Sequence, residues 1–166
     1  YVDLEHFDAG GLDHERLKEL RARHKSDGER LVAYAGMFKD YQGVDYLIRA
    51  FAALAARHPD LRLILIGDGP CRGEYEQLIG QLGIQERVHP PGLVPHSDVV
   101  NWLEIADVVV SPRIDNEITR AGFVSQLPEY MAAGKTIVAT AVSGCSFLLR
   151  DGAGFLVAPN DVDALA

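Results

Sequence analysis

The sequence predicts an α/β domain built on a doubly wound parallel β-sheet of about six strands, with helices on both faces. Two observations support this prediction. Short runs rich in strand-forming residues alternate with segments of helical periodicity, and most of these runs are predominantly apolar rather than alternating between apolar and polar residues. Strands of that kind are buried on both faces, as in parallel sheets that helices cover on each side. Alternation with right-handed crossovers then favours the Rossmann-like strand order 3-2-1-4-5-6.

The individual elements follow from local patterns along the chain. The apolar runs predicted as strands are Arg30–Ala35, Leu61–Ile66, Arg87–His89, Asp107–Val110, Thr136–Thr140 and Gly154–Val157. Apolar residues spaced at i, i+3, i+4 and i+7 predict the helices between them. These helices cover Val44–Ala55, Tyr75–Leu82, a segment that Ser97 caps, and Leu127–Ala133, and a further helix near Leu12–Lys25 precedes the alternation.

Length and the position of the first strand predict the domain organisation. A chain of 166 residues can bury one ordinary core, but not two cores of normal size. Residues 1–29 are predicted to be a lead-in segment and helix from a preceding domain, and residues 30–166 to be the sheet domain. Residues 161–166 read as a helix cut off in its first turns, so we expect a C-terminally truncated piece of a longer protein. No signal peptide opens the chain, and a cytoplasmic location is expected.

Net charge and hydropathy bear on the class of partner. The chain has 16 Lys and Arg against 24 Asp and Glu, which gives a net charge of −8. Nucleic acids and anionic membrane surfaces need a basic footprint, so neither is expected as a partner. No apolar run approaches the roughly 20 residues of a membrane span. Any membrane contact is therefore expected through the missing part of the protein.

Cysteine and histidine spacing argues against a metal site. Cys71 and Cys145 lie far apart without a CxxC pattern, and the six histidines form no HExxH motif or i, i+4 pair. No metal and no cofactor is expected. The segment Gly67–Pro70 gives a weak dinucleotide fingerprint, but it follows the second strand rather than the first. A nicotinamide-dependent dehydrogenase therefore remains a minor alternative.

Two loops mark the expected binding site. In a doubly wound sheet the ligand binds beyond the carboxyl ends of the strands, where the strand order reverses. The loops at that point are Gly36–Gly43 and Ser111–Phe123, and the second is far longer than the 2–6 residues usual for such connections. It carries Arg113 and Arg120 and leads into a helix, whose free N–H groups favour phosphate. We expect the two loops to be adjacent, with a surface pairing of both arginines with nearby carboxylates as the plain alternative.

The order of short motifs resembles that of the retaining glycosyltransferase family 4, also called group 1. The motifs that carry the resemblance are Val2–Phe7, Tyr34–Gly36, Gln42–Phe51, Pro59–Leu61, Ile66–Pro70, Val88–Gly92, Ala106–Pro112, Leu127–Lys135, Ile137–Thr140 and Asp151–Val157. The resemblance implies the C-terminal, donor-binding half of a GT-B enzyme, in which two Rossmann-like domains face each other across a cleft. It further implies transfer from a UDP-, GDP- or ADP-sugar with retention and without a divalent metal. The acceptor would bind mainly to the missing N-terminal domain, so this piece alone is expected to be inactive.

Site residues follow from the resemblance position by position. Gly36 and Gly43 should line the phosphate loop, and Gly67 should also belong to the donor site. Val88–Leu93, with Val88 and Gly92, should form the nucleobase pocket through backbone groups. The amides of Gly122, Phe123 and Val124 should bind the diphosphate and sugar, with Gln126 beside them. Glu129 should bind the ribose hydroxyls, because a carboxylate accepts two hydrogen bonds from a vicinal diol.

Four positions depart from the family pattern. Met37, Gln42 and Gln126 stand where family members carry Arg or Lys, and Ala121 stands where they carry Glu. We expect Arg113 and Arg120 to supply the missing positive charge, since a guanidinium binds phosphate oxygens in pairs. The departures also keep open an alternative, a degenerate GT-B protein that acts as a non-catalytic binding or regulatory partner.

Overall fold

The computed structural model describes residues 12–166 and places six parallel strands in one sheet. The strands are β1 (Arg30–Ala35), β2 (Leu61–Ile66), β3 (Val88–Gly92), β4 (Val108–Ser111), β5 (Thr136–Thr140) and β6 (Phe155–Val157). Their spatial order is β3-β2-β1-β4-β5-β6, so the predicted strand order is confirmed. The motif at Val2–Phe7 lies outside the described residues.

The helices lie between the strands as the periodicity predicts. They are α1 (His14–His24), α2 (Val44–Ala55), α3 (Arg72–Gln81), α4 (His96–Ile105), α5 (Glu117–Ala121), α6 (Gln126–Ala132), α7 (Ser143–Leu148) and α8 (Val162–Leu165). Two local predictions are wrong. Ser97 does not cap α4, because the helix begins one residue earlier, after Pro95. The segment predicted as one long loop after β4 contains the short helix α5, which a capping box between Asn116 and Thr119 stabilises.

The sheet separates two apolar layers. One layer joins α2 and α3 to the sheet, with Ile48, Phe51 and Leu63 among its most buried side chains. The other layer joins α1, α4, α6 and α7 to the opposite face, where Leu103 and Tyr130 are fully buried. The central strands β1, β2 and β4 are largely buried because each of their faces meets one of these layers, whereas the edge strand β6 is mostly exposed.

Helix α1 packs into the second layer. Leu17 and Leu20 are buried there, and Arg16 forms an ion pair with Asp98 of α4 with an Nη2–Oδ2 distance of 2.9 Å. The helix predicted before the sheet therefore shares the core of the sheet domain. The predicted boundary at residue 29 stays a prediction about the longer protein. Across residues 12–166, no helix combines the length and the apolar character needed to cross a membrane.

Candidate functional site

A cavity of about 440 Å³ opens at the carboxyl ends of β1, β2 and β4. It is lined by Ala35, Gly36, Met37, Tyr41, Gln42, Ile66, Gly67, Asp68, Leu93, Val94, His96, Val99, Arg113, Phe123, Ser125, Gln126 and Glu129. Strand order reverses between β1 and β4, so the cavity lies where a doubly wound sheet binds its ligand.

The loops after β1 and β4 meet beside this cavity. The amide of Ile114 donates to the carbonyl of Tyr41 at 3.2 Å. Gly43 has φ 67° and lies so close to Pro112 that a Cβ atom there would overlap the Pro112 carbonyl oxygen. The prediction that the two loops are adjacent is confirmed. Gly43 acts by joining the loops, since it is absent from the residues that line the cavity.

Gln126 fills the space beneath Gly36. Its Nε2 donates to the carbonyl of Ala35 at 2.7 Å, and its Oε1 accepts from the hydroxyl of Ser111 at 3.4 Å. A Cβ atom on Gly36 would overlap Gln126 Nε2. The amide therefore links the ends of β1 and β4 directly, and it occupies the place where the family pattern has a lysine.

Arg113 is a buried cation at the cavity. The residue is 5% exposed, its Nη1 donates to the carbonyl of Phe123 at 3.3 Å, and its guanidinium carbon lies 5.8 Å from the centre of the Tyr41 ring. Its Nε is buried without a hydrogen-bond partner. Among the ion pairs of residues 12–166, none involves Arg113, so the alternative of a surface pairing is wrong for this residue.

Arg120 differs from Arg113 although both lie in the same connection. Its Nε and Nη2 donate to the two carboxylate oxygens of Asp115 at 2.7 and 2.8 Å. This hydrogen bonding keeps the pKa of Asp115 below its usual value. Arg120 is absent from the cavity lining, so the expectation that it supplies charge to the site is corrected. The reason is local, because Asp115 lies five residues earlier, just before the N-cap of α5, and its carboxylate binds the guanidinium.

The remaining predicted residues divide into two groups. Gly36, Gly67, Phe123, Gln126 and Glu129 line the cavity. The others, Val88, Gly92, Gly122 and Val124, do not. Val88 begins β3 at the opposite end of the sheet, and Val124 is buried in the core.

Gly92 contributes only indirectly, because its carbonyl accepts a hydrogen bond from the amide of Gly67 at 3.0 Å. The lining at this side comes instead from the next residues, Leu93 and Val94. The sequence interpretation missed Tyr41 and His96. Their signal was available in their positions, since both belong to segments that directly follow the carboxyl ends of strands.

Glu129 and His96 come together at the cavity from different helices. Glu129 lies in the first turn of α6, and His96 is the first residue of α4. The distance between His96 Nε2 and Glu129 Oε1 is 3.3 Å. Within the described part of the chain, no cluster of three or more His, Cys, Asp or Glu side chains is placed to hold a metal ion.

Comparison with known families identifies the chain. The family described as Glycosyl transferases group 1 matches residues 16–166. The chain belongs to this family. Alpha-D-kanosaminyltransferase from Streptomyces kanamyceticus is 34% identical over 144 residues, which is 87% of this chain and 36% of that protein. A second relative from that organism, 2-deoxystreptamine glucosyltransferase, is 26% identical over 99% of this chain and 41% of its own length.

Solved structures share the fold of this group 1 domain. Anabaena Alr3699/HepE in complex with UDP and glucose has a TM-score of 0.83 at 24% identity, and the match covers 99% of this chain and 43% of that one. The C-terminal domain of a group 1 family protein, LpcC, from Francisella tularensis has a TM-score of 0.76 at 22% identity over 98% of this chain and 82% of that one. The chain thus has the Rossmann-like fold predicted for half of a GT-B enzyme. It spans about two fifths of the length of the curated relatives named above.

Proposed function

We propose that this chain binds the nucleotide-sugar donor of a glycosyltransferase, with a UDP-, GDP- or ADP-sugar as the donor class. The observation that carries the proposal is the Arg113 guanidinium, which is buried at the cavity without a carboxylate partner among residues 12–166. Leaving a buried charge uncompensated costs several kcal/mol. A diphosphate supplies the missing negative charge and oxygen acceptors for the unpartnered Nε.

The position of the cavity supports a phosphate ligand. Helix α4 begins at the cavity and its first turn has no side-chain cap, so its N-terminal N–H groups favour an anion, and Asp98 in that turn offsets part of the positive end. Met37, Gln42 and Gln126 have uncharged side chains, and the Gln126 amide already forms hydrogen bonds with Ala35 and Ser111. Arg113 therefore takes the role of the cations that the family pattern places elsewhere.

The ribose, the nucleobase and the sugar of the donor are assigned to residues whose chemistry can bind them. Glu129 accepts hydrogen bonds from the ribose hydroxyls, and the apolar surface of Leu93 and Val94 borders the nucleobase. Of the segment 122–124, the cavity-lining residue Phe123 lies next to the sugar. We further propose that transfer proceeds with retention and without a divalent metal, and that the acceptor binds mainly to the remainder of the longer protein.

Calorimetric titration of the chain with UDP, GDP and ADP tests this function. We expect one of the three to bind, and Arg113→Ala to weaken that binding more than tenfold, or about 1.4 kcal/mol. Arg120→Ala is the matched control. It also removes a guanidinium from the segment between β4 and α6, but Arg120 pairs with Asp115 and does not line the cavity. It should change affinity less than twofold.

Two results would contradict the proposal. If the folded wild-type chain binds none of the three nucleotides, the site is not a donor site and the non-catalytic alternative is favoured. If Arg113→Ala and Arg120→Ala weaken binding equally, a general effect of positive charge explains the loss and Arg113 has no special role.

A further inference from the structure

His96 and Glu129 form a bridge across the mouth of the cavity. They belong to helices that follow β3 and β4, on the two sides of the site. The His96 side chain is 71% exposed, whereas that of Glu129 is 23% exposed. The inner member of the pair is therefore the carboxylate, and the imidazole lies towards solvent.

The hydrogen bond constrains how the carboxylate can act. A carboxylate has two oxygens with about four acceptor positions, and His96 Nε2 takes one position on Oε1. Of the residues that the structure describes, His96 is the one that hydrogen-bonds this carboxylate. The second oxygen and the remaining positions on the first are left for a ligand with two neighbouring donors.

Anchoring one oxygen also lowers the cost of binding. A free glutamate loses side-chain entropy when a ligand fixes it. A carboxylate that a neighbour already holds has lost part of that freedom before the ligand arrives, which raises affinity without any new contact to the ligand. A residue that holds this carboxylate can thus set the affinity for the donor through Glu129.

We propose that His96 is a positioning residue for ribose recognition. Its Nε2–H donates to Glu129 Oε1 and holds the carboxylate in the orientation that accepts both hydroxyls of a ribose diol. This inference rests on the proposed function, because it presupposes that Glu129 binds the ribose of the donor. It assigns His96 no contact with the phosphates and no part in the chemical step.

A double-mutant cycle with matched ligands tests the role. The ligands are the tightest binder among UDP, GDP and ADP, its 2′,3′-dideoxy form, and inorganic pyrophosphate. His96→Ala should weaken binding of the ribonucleotide three- to tenfold and leave the other two ligands unchanged within twofold. In the Glu129→Ala background the same change should have no further effect, since a residue that acts through its neighbour is not additive with it.

Two further variants separate positioning from a structural role. His96→Gln retains a donor near the carboxylate and should recover most of the lost affinity. His14→Ala removes an exposed histidine from α1 and should leave all three ligands unaffected. Circular dichroism of each variant checks that the fold is retained.

Failure of this inference differs from failure of the proposed function. If the wild-type chain binds a nucleoside diphosphate and His96→Ala binds it equally well, the positioning role is overturned and the donor site stands. The role is also overturned if His96→Ala weakens pyrophosphate as much as the nucleotide, or if its effect persists in the Glu129→Ala background. If no nucleoside diphosphate binds at all, the proposed function fails and the inference fails with it.

Discussion

Two polar regions of this domain, the Asp98 cluster and the Arg113 corner of the cavity, differ in how their charges are compensated. In the Asp98 cluster, the carboxylate accepts hydrogen bonds from Arg16, from Asn101 Nδ2 at 3.1 Å and from Trp102 Nε1 at 3.0 Å. Burial opposes ionisation of Asp98, but these hydrogen bonds outweigh it and lower the pKa of the carboxyl. Both the charge and the acceptor positions are taken up within the protein.

At the Arg113 corner, no carboxylate among residues 12–166 pairs with the guanidinium. The guanidinium has one carbonyl partner and an aromatic ring, and its Nε is unpartnered. A buried charge that pairs within the protein stabilises the fold. A buried charge without a partner lowers the free energy of unfolding, and an oppositely charged ligand that binds it restores that stability. The Asp98 cluster therefore holds α1 onto the domain, whereas the Arg113 corner has the character expected of the proposed binding site.

The largest expected effect is on stability at the Asp98 cluster. Asp98→Ala leaves three donors without their acceptor and should lower the free energy of unfolding by about 2–3 kcal/mol. Urea denaturation measures this, and nucleotide affinity of the folded protein should change less than twofold. Arg23→Ala, which breaks an exposed ion pair with Glu19, is the control and should cost less than about 0.5 kcal/mol. Equal losses for the two variants would show that the cluster adds nothing beyond an exposed pair.

A smaller effect is expected from acid at the ring cluster beside it. The His24 ring packs at a tilt against His89 with ring centres 4.2 Å apart, and lies 5.1 Å from the Trp102 ring. Burial, followed by the neighbouring positive charges, lowers the pKa of His24 to about 4. Between pH 6.5 and about 4 the unfolded chain therefore binds more protons at this residue, so stability falls as the pH falls.

His24→Phe isolates this contribution. After the discount for solvent screening at a half-buried ring, the wild-type protein should lose about 1 kcal/mol more than the variant between pH 7 and pH 4.5. Urea denaturation at several pH values measures the difference. Parallel pH profiles for the two proteins would refute a role for His24 in acid sensitivity.

The smallest expected change in stability is that of an Arg113 variant without nucleotide, and it distinguishes the Arg113 corner from the Asp98 cluster most directly. Arg113→Met replaces an open buried charge with an apolar side chain of similar length. Without nucleotide, the free energy of unfolding should stay the same or rise by up to about 1 kcal/mol. Nucleotide at one hundred times its dissociation constant should stabilise the wild type by about 2.7 kcal/mol and the variant far less. A loss of more than 1 kcal/mol without nucleotide would instead place Arg113 among the structural residues, with Asp98.

The fold was predictable because its signals are local and repeated. The predominantly apolar strand Leu61–Ile66 and the periodic helix Val44–Ala55 appear in the structure with the predicted bounds. The errors arose at helix ends that one or two residues set. Helix α5 is stabilised by reciprocal hydrogen bonds between Asn116 and Thr119, and α4 begins directly after Pro95.

The site was predictable only in part, because side-chain partners are not visible in a sequence. Arg113 and Arg120 are seven positions apart in one connection and look equivalent as residue types. Asp115 lies within reach of Arg120, whereas the fold carries Arg113 into a buried corner under Tyr41. The bridge from His96 to Glu129 joins two helices that are distant along the chain, so spacing gave no sign of it.

The contact of Gly36 with Gln126 has a consequence for how this sequence can vary. Because the amide of Gln126 occupies the volume that a side chain at position 36 would need, the two positions cannot change independently. A longer residue at position 126 must find another path out of the interior, and any side chain at position 36 requires a smaller residue at 126. The two sites therefore form one epistatic unit, and restoring the family lysine at position 126 alone would break the join between β1 and β4.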